Sequence, residues 1–169
     1  GSTTQYLYGD PVRQTRLTAV VEPDGSLDVL YYDDRGLLLG FDRAGTRYYV
    51  GTDHLGSPRV VADATGTVVK RIDYDAWGRI TSESAPSWGL VIGFAGGMRD
   101  DATGLVRFGF RDYDPAAGRW TARDSLLYDG HAYNLYEYVG NDPTSLVDPT
   151  GQWGISFGGS FCVVFCIEA

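Results

Sequence analysis

Apolar and polar positions alternate along this chain only in short runs, and each run stops at a turn signal. Leu27-Asp28-Val29-Leu30-Tyr31-Tyr32 and Thr67-Val68-Val69-Lys70-Arg71-Ile72-Asp73-Tyr74 half-alternate at the period of two that sends successive side chains to opposite faces of a sheet. The runs are punctuated by Pro23-Asp24-Gly25, Asp33-Asp34-Arg35-Gly36, Arg43-Ala44-Gly45, Asp63-Ala64-Thr65-Gly66, Asp75-Ala76-Trp77-Gly78 and Asp101-Ala102-Thr103-Gly104. In such turns an Asp side chain bonds the backbone two residues on, and glycine takes the positive-φ position. Strands separated by glycine-bearing turns predict a meander of antiparallel hairpins. The best helical candidate, Asn134 to Val139, is too short to carry a fold. The chain reads as mainly β.

Three segments repeat one plan. Tyr32-Asp33-Asp34-Arg35-Gly36-Leu37, Tyr74-Asp75-Ala76-Trp77-Gly78-Arg79-Ile80 and Tyr113-Asp114-Pro115-Ala116-Ala117-Gly118-Arg119-Trp120 each end a strand on tyrosine. An aspartate then opens the turn, a glycine closes it, and an Arg or apolar residue starts the return. The copies stand roughly 40 residues apart, a spacing at which each unit needs neighbours to bury its face.

Composition sharpens this picture. Of 169 residues 23 are glycine and 12 tyrosine, which favours short strands and tight turns over helices. A hydrophobic content of 43 % suffices for a packed core and excludes wholesale disorder. Fourteen basic against 22 acidic residues leave a net charge of −8, which argues against a general nucleic-acid surface, since phosphate contacts need clustered cations. No apolar run is long enough to span a membrane. The opening Gly1-Ser2 reads as a cloning remnant, so a signal or upstream domain is expected to have preceded it.

At Tyr49-Val50-Gly51-Thr52-Asp53-His54-Leu55-Gly56-Ser57-Pro58-Arg59 the sequence resembles the DHLGS hallmark of the Rhs family. Its tyrosine–aspartate (YD) repeats occur in bacterial polymorphic toxins, in Tc-toxin C subunits and, more distantly, in teneurins. Phe94-Ala95-Gly96-Gly97, Thr103-Gly104-Leu105 and Arg111 through Trp120 are similar to the Rhs repeat-associated core. Tyr133 through Pro143 and Val147-Asp148-Pro149-Thr150-Gly151 are similar to its end. The resemblance covers roughly residues 27–152, with 1–26 as a degenerate preceding repeat. It implies a YD-repeat sheet over 1–92, a core plug over 93–152, and the start of a C-terminal cargo segment over 153–169. In full-length relatives the sheet spirals into a hollow shell around a toxin, closed by the plug. A bacterial protein, secreted or at the cell surface, is the implied setting.

The resemblance also implies self-cleavage by an intramolecular aspartyl-type protease just after the DPxG motif. Two close carboxylates share a proton, so one activates water while the other polarises the carbonyl. The residues matching the family pattern are Asp124 and Asp148, with Arg123 as the arginine that would stabilise the oxyanion. Period-two counting places Trp120, Ala122 and Asp124 on one strand face and Arg119, Thr121 and Arg123 on the other. Arg123 therefore needs a bulge to reach the site, and Arg119 is the alternative. The bland readings are a solvated turn residue for Asp124 and a turn opener before proline for Asp148. The expected scissile bond is Gln152–Trp153, with Gly151–Gln152 as the fallback. Two departures bear on it: Ser125 replaces the usual proline, and Gln152 the usual leucine, whose pocket would contribute about 2 kcal/mol.

Other chemistry is poorly supported. His54 and His131 are the only histidines, and no serine has the context of an elbow nucleophile; His54 is expected to cap the turn at Leu55-Gly56-Ser57-Pro58. Asp73, Asp75, Asp112 and Asp114 lack the ligand density of a calcium loop, so neither metal nor cofactor is expected. Cys162 and Cys166 are expected to be buried apolar residues of a tail much more apolar than the rest. The expected partners are the chain's own C-terminal effector segment in cis and the remaining shell. Strand edges offer a route to oligomers. Two further readings stand beside self-cleavage: a non-catalytic plug that closes the shell, and a module binding glycans or a cell surface through exposed tyrosines.

Overall fold

The computed structural model describes residues 3–124, 134–152 and 155–156, the last pair as backbone only. Eight strands follow one another in sequence and in space: β1 (Gln5–Leu7), β2 (Ala19–Val21), β3 (Leu27–Tyr32), β4 (Leu38–Arg43), β5 (Thr46–Thr52), β6 (Pro58–Asp63), β7 (Val68–Tyr74) and β8 (Ile80–Glu83). They form one antiparallel sheet in the order β1 to β8. The expected meander of hairpins is therefore the architecture found.

Its turns share one device. Asp33, Asp53, Asp63 and Asp75 each use Oδ1 to accept two backbone N–H groups of the turn they open, from Gly36 and Leu37, Leu55 and Ser57, Thr65 and Thr67, and Trp77 and Arg79. The glycine three residues on has positive φ in all four. At Gly78, with φ +85°, the need is double, because a Cβ would run into the Phe94 ring. The ladder slips at Tyr31/Tyr32, Gly51/Thr52, Val61/Ala62 and Asp73/Tyr74. Such bulges add local twist.

The core on one face of this sheet gathers Val20, Leu30, Leu38, Phe41, Val61 and Ile72, with Leu17 from the β1–β2 connection, and the segment after β8 folds over it through Trp88, Leu90 and Ile92. Lys70, fully buried, fastens that cover. Its ammonium donates to the carbonyls of Ala85 (3.0 Å) and Trp88 (2.9 Å) and pairs with Glu83 at 2.7 Å.

A smaller sheet follows, in the order β12-β11-β10-β9: β9 (Met98–Arg99), β10 (Val106–Phe108), β11 (Arg111–Asp114) and β12 (Arg119–Trp120). With β13 (Leu146–Val147) it surrounds a second core of Phe94, Val106, Phe108, Tyr113, Trp120, Tyr138 and Val147. Tyr113 and Tyr138 pack at 4.3 Å between ring centroids, and Trp120 meets Phe108 edge-on at 5.8 Å. Each such pair adds about 0.5–1.5 kcal/mol beyond burial. β13 pairs with β14 (Ile155–Ser156) in a third, two-stranded sheet.

Two expectations change here. Asn134–Val139 is not a helix: it runs through turns into a short 3-10 turn at Val139–Asn141. A helix that short leaves most of its end groups unbonded, whereas here the carbonyls of Leu135 and Tyr136 accept from Asp124 and Trp120 across the small sheet. His54 does not cap its own turn, since Asp53 does; the His54 Nε2–H donates to the Thr144 carbonyl at 2.8 Å. The DHLGS turn thereby seats the second core on the first sheet. Leu55 lies inside that core, and the Ser57 hydroxyl, fully buried, accepts from the Ala95 N–H.

Candidate functional site

The Asp148–Gly151 turn is built like the hairpin turns of the large sheet. Asp148 Oδ1 accepts from the N–H of Gly151 (2.8 Å) and of Gln152 (3.1 Å), and from the Thr150 hydroxyl at 3.2 Å. Gly151 has φ +74°, and a Cβ there would meet the Phe108 carbonyl oxygen. Unlike the aspartates that open the four hairpin turns, which are half-buried, Asp148 is only 2 % exposed. The N–H of Phe110, in the β10–β11 turn, donates to the Thr150 carbonyl at 2.9 Å and ties it down from a second side.

Arg111, the first residue of β11, organises the site. Its Nη2 pairs with Asp124 at 2.8 Å and with Asp148 at 3.3 Å, while its Nε donates to the Gly151 carbonyl. The guanidinium lies over the Trp120 ring, 4.2 Å from its centroid. Burial pushes it below the usual arginine range, and the two aspartates oppose that shift.

Asp124 and Asp148, expected to act together, are thus brought to one cation, but the arginine between them is not the one expected. β12 ends at Trp120, so strict alternation does not continue to Asp124. Arg123 is exposed, and Arg119 lines a separate cavity of about 430 Å³ with Asp114, Thr121 and Tyr136. A signal for Arg111 was present: it stands two residues before Tyr113, the buried tyrosine of the third repeat, and so shares its face. Gly151 and Gln152 belong to the turn, whereas Trp153 and Ser125, like Cys162 and Cys166, lie outside the described residues.

Among the described residues no three His, Cys, Asp or Glu side chains are grouped to hold a metal, and no helix is long and apolar enough to cross a membrane. Exposed tyrosines do occur, at Tyr6, Tyr8, Tyr31, Tyr49 and Tyr136.

A uniform YD meander closed by an aromatic core with a clamped DPTG turn defines a segment of a YD-repeat shell. The family described as Teneurin YD-shell matches residues 1–144, and the chain belongs to it. It is 36 % identical to teneurin-3 of Danio rerio over 172 aligned residues, 94 % of this chain. It is 33 % identical to human teneurin-4 over 91 % of the chain, and 36 % identical to teneurin-m of Drosophila melanogaster over 85 %. The chain spans about 6 % of the length of these relatives. Among solved structures it is similar to TcdB2-TccC3 without its hypervariable C-terminal region (TM-score 0.66, 25 % identity). A Tc holotoxin pore of Photorhabdus luminescens is similar too (TM-score 0.64, 25 % identity); each match covers 81 % of this chain and 7 % of the other. The expected bacterial setting is corrected by these relatives, since the teneurins named are proteins of animals.

Proposed function

We propose that this chain is a structural closing segment of a YD shell, in which Arg111 latches the Asp148–Gly151 turn against the second core. The observation that carries this reading is the guanidinium between the two carboxylates. An aspartyl dyad works because two like charges share one proton. A cation bonded to both offsets that repulsion and clamps the two side chains in place. Asp148 Oδ1 is further engaged by its own turn. The relatives lend support, since the family is defined by its shell.

A second reading, self-cleavage, rests on one specific contact set. Arg111 donates to the Gly151 carbonyl, and the Gln152 N–H donates to Asp148, so both ends of the Gly151–Gln152 peptide bond are engaged. Cleavage there would need Asp124 to activate a water while Arg111 stabilises the oxyanion. The released segment would be the cargo of a shell.

Intact mass under denaturing conditions, followed over hours at several pH values, separates the two. A single stable mass, with Asp124→Asn and Asp148→Asn lowering stability, supports the latch. A fragment ending at Gly151 or at Gln152, abolished by either variant in a folded chain, overturns it in favour of cleavage.

A further inference from the structure

The large sheet has a second face, opposite the first core, and no apolar cluster of the described residues lies over it. Tyr31, Gly40, Tyr49, Ala62 and Val68 form one row across β3 to β7. Period two turns this row outward, because its neighbours along the strands, Leu30, Phe41 and Val61, lie in the first core. An antiparallel sheet with one face in water normally shows polar residues there. Here Leu7, Leu27, Tyr31, Leu39, Tyr49 and Val68, six of the eleven exposed large apolar side chains among the described residues, all stand on this face. Leu39 is the extra residue of the β3–β4 bulge and turns away from Leu38, which lies in the first core. A contiguous apolar patch of this kind marks an interaction surface.

Charge says what can approach it. The chain carries a net charge of −8, which sets its copies against one another. On this face, however, the acids pointing out from the strands are Asp42 and Asp73, and each already holds an arginine. Arg47 grips Asp42 through Nε (2.6 Å) and Nη2 (2.7 Å), and Arg59 pairs with Asp73 at 2.5 Å. The Tyr31 hydroxyl donates to Asp42 at 2.9 Å, and the Arg47 guanidinium lies over the Tyr31 ring, 4.8 Å from its centroid. These groups meet one another's needs before any partner arrives, so covering them leaves no charge alone. Two such faces come together without adding to the repulsion between copies.

We propose that two copies of this chain pack through these faces about a twofold axis, as a sandwich of two sheets with Tyr49 and Leu39 at its centre. The size suffices. Strands β1 to β7, at a spacing of about 4.8 Å, make a platform roughly 30 Å by 20 Å. With the relief of its side chains that matches the ~800 Å² per partner of a standard interface. A twofold contact sets one patch against itself, and this patch is neutral and apolar enough to be its own complement. The latch lies at the other core and takes no part in the contact.

The test is sedimentation equilibrium of the full chain from micromolar to near-millimolar concentration. The expected result is a monomer–dimer equilibrium that added salt does not weaken, since apolar contact carries it. Tyr49→Arg and Leu39→Arg, each setting like charges face to face, should weaken the dimer about tenfold or more. Val12→Arg alters an exposed apolar residue of the β1–β2 connection and should leave the dimer unchanged. A chain that stays monomeric throughout overturns the proposal. So does a dimer that neither face variant weakens, as pairing through the β1 or β8 edge would give, or one that Val12→Arg weakens equally. Should the face variants fail to fold, nitration of Tyr49 by tetranitromethane in the unaltered chain decides: protection that grows with concentration is expected, and its absence overturns the dimer.

Discussion

Arg111 donates its Nε proton to the carbonyl of Gly151, forty residues further along the chain. This bond joins the first residue of a strand to the last residue of a turn and draws two aspartates to the same guanidinium. The site is a cation with three oxygen acceptors, so its consequences are those of removing a buried charge.

Arg111→Leu should therefore be among the most damaging single changes in the chain. Removing one member of a buried ion pair costs about 3–5 kcal/mol, read as a lowered urea midpoint. Arg111→Lys should recover only part of the loss, because an ammonium lacks the planar fork that reaches all three oxygens. Equal stability of Arg111→Leu and the parent would remove the latch.

Gly151→Ala tests the turn itself. The positive φ and the Phe108 carbonyl act together there, and the cost should be on the order of 1–3 kcal/mol. Gly25, with φ +84° and nothing within 4 Å of where a Cβ would stand, is the control. Gly25→Ala should cost about 1 kcal/mol or less. If both variants unfold at the same urea concentration, the close approach at Gly151 contributes nothing.

How far the sequence foretold this site depends on whose geometry is periodic. The meander, its Asp-to-Gly turns and the inward tyrosines follow from local patterns, because strand alternation and turn chemistry act over four or five residues. Asp124 and Asp148 came from resemblance, and the fold brings them together. Arg111 was missed because counting began at Trp120 and ran past the end of β12. The contact of His54 with Thr144 was illegible for another reason: it depends on how the second core docks, which no local pattern encodes.

Two buried tyrosines, Tyr113 and Tyr138, and two half-buried ones, Tyr32 and Tyr74, set the alkaline limb of stability. Burial raises the phenols of Tyr32, Tyr74, Tyr113 and Tyr138 above their ordinary value of 10.0. A raised folded value means that the folded state holds protons the unfolded chain releases. Their contribution is complete below pH 10.0 and is lost as pH rises above it. Tyrosinate absorbance should appear together with the loss of sheet circular dichroism. Tyrosinate forming at pH 10.0 in a chain that stays folded would show these phenols to be accessible.

Glu83 governs the acid side of the cover over the first core. Burial pushes its carboxyl up, but Arg99 and Lys70 outweigh that and hold it below the ordinary 4.5. Its contribution is thus present above pH 4.5 and is lost as pH falls through the lowered folded value. Glu83→Gln should lower stability near neutrality and flatten the acid limb of a stability–pH curve. An unchanged slope would assign acid sensitivity to other carboxylates.

Lys70 is the only lysine in the chain, and its ammonium is sealed between two carbonyls and Glu83. Apart from the N-terminal amine, the native surface of this chain therefore offers no amine to amine-directed crosslinkers. Any label on Lys70 must have entered while β7 was parted from its cover. The rate of that labelling is a clock for how often the sheet breathes, written into a single side chain.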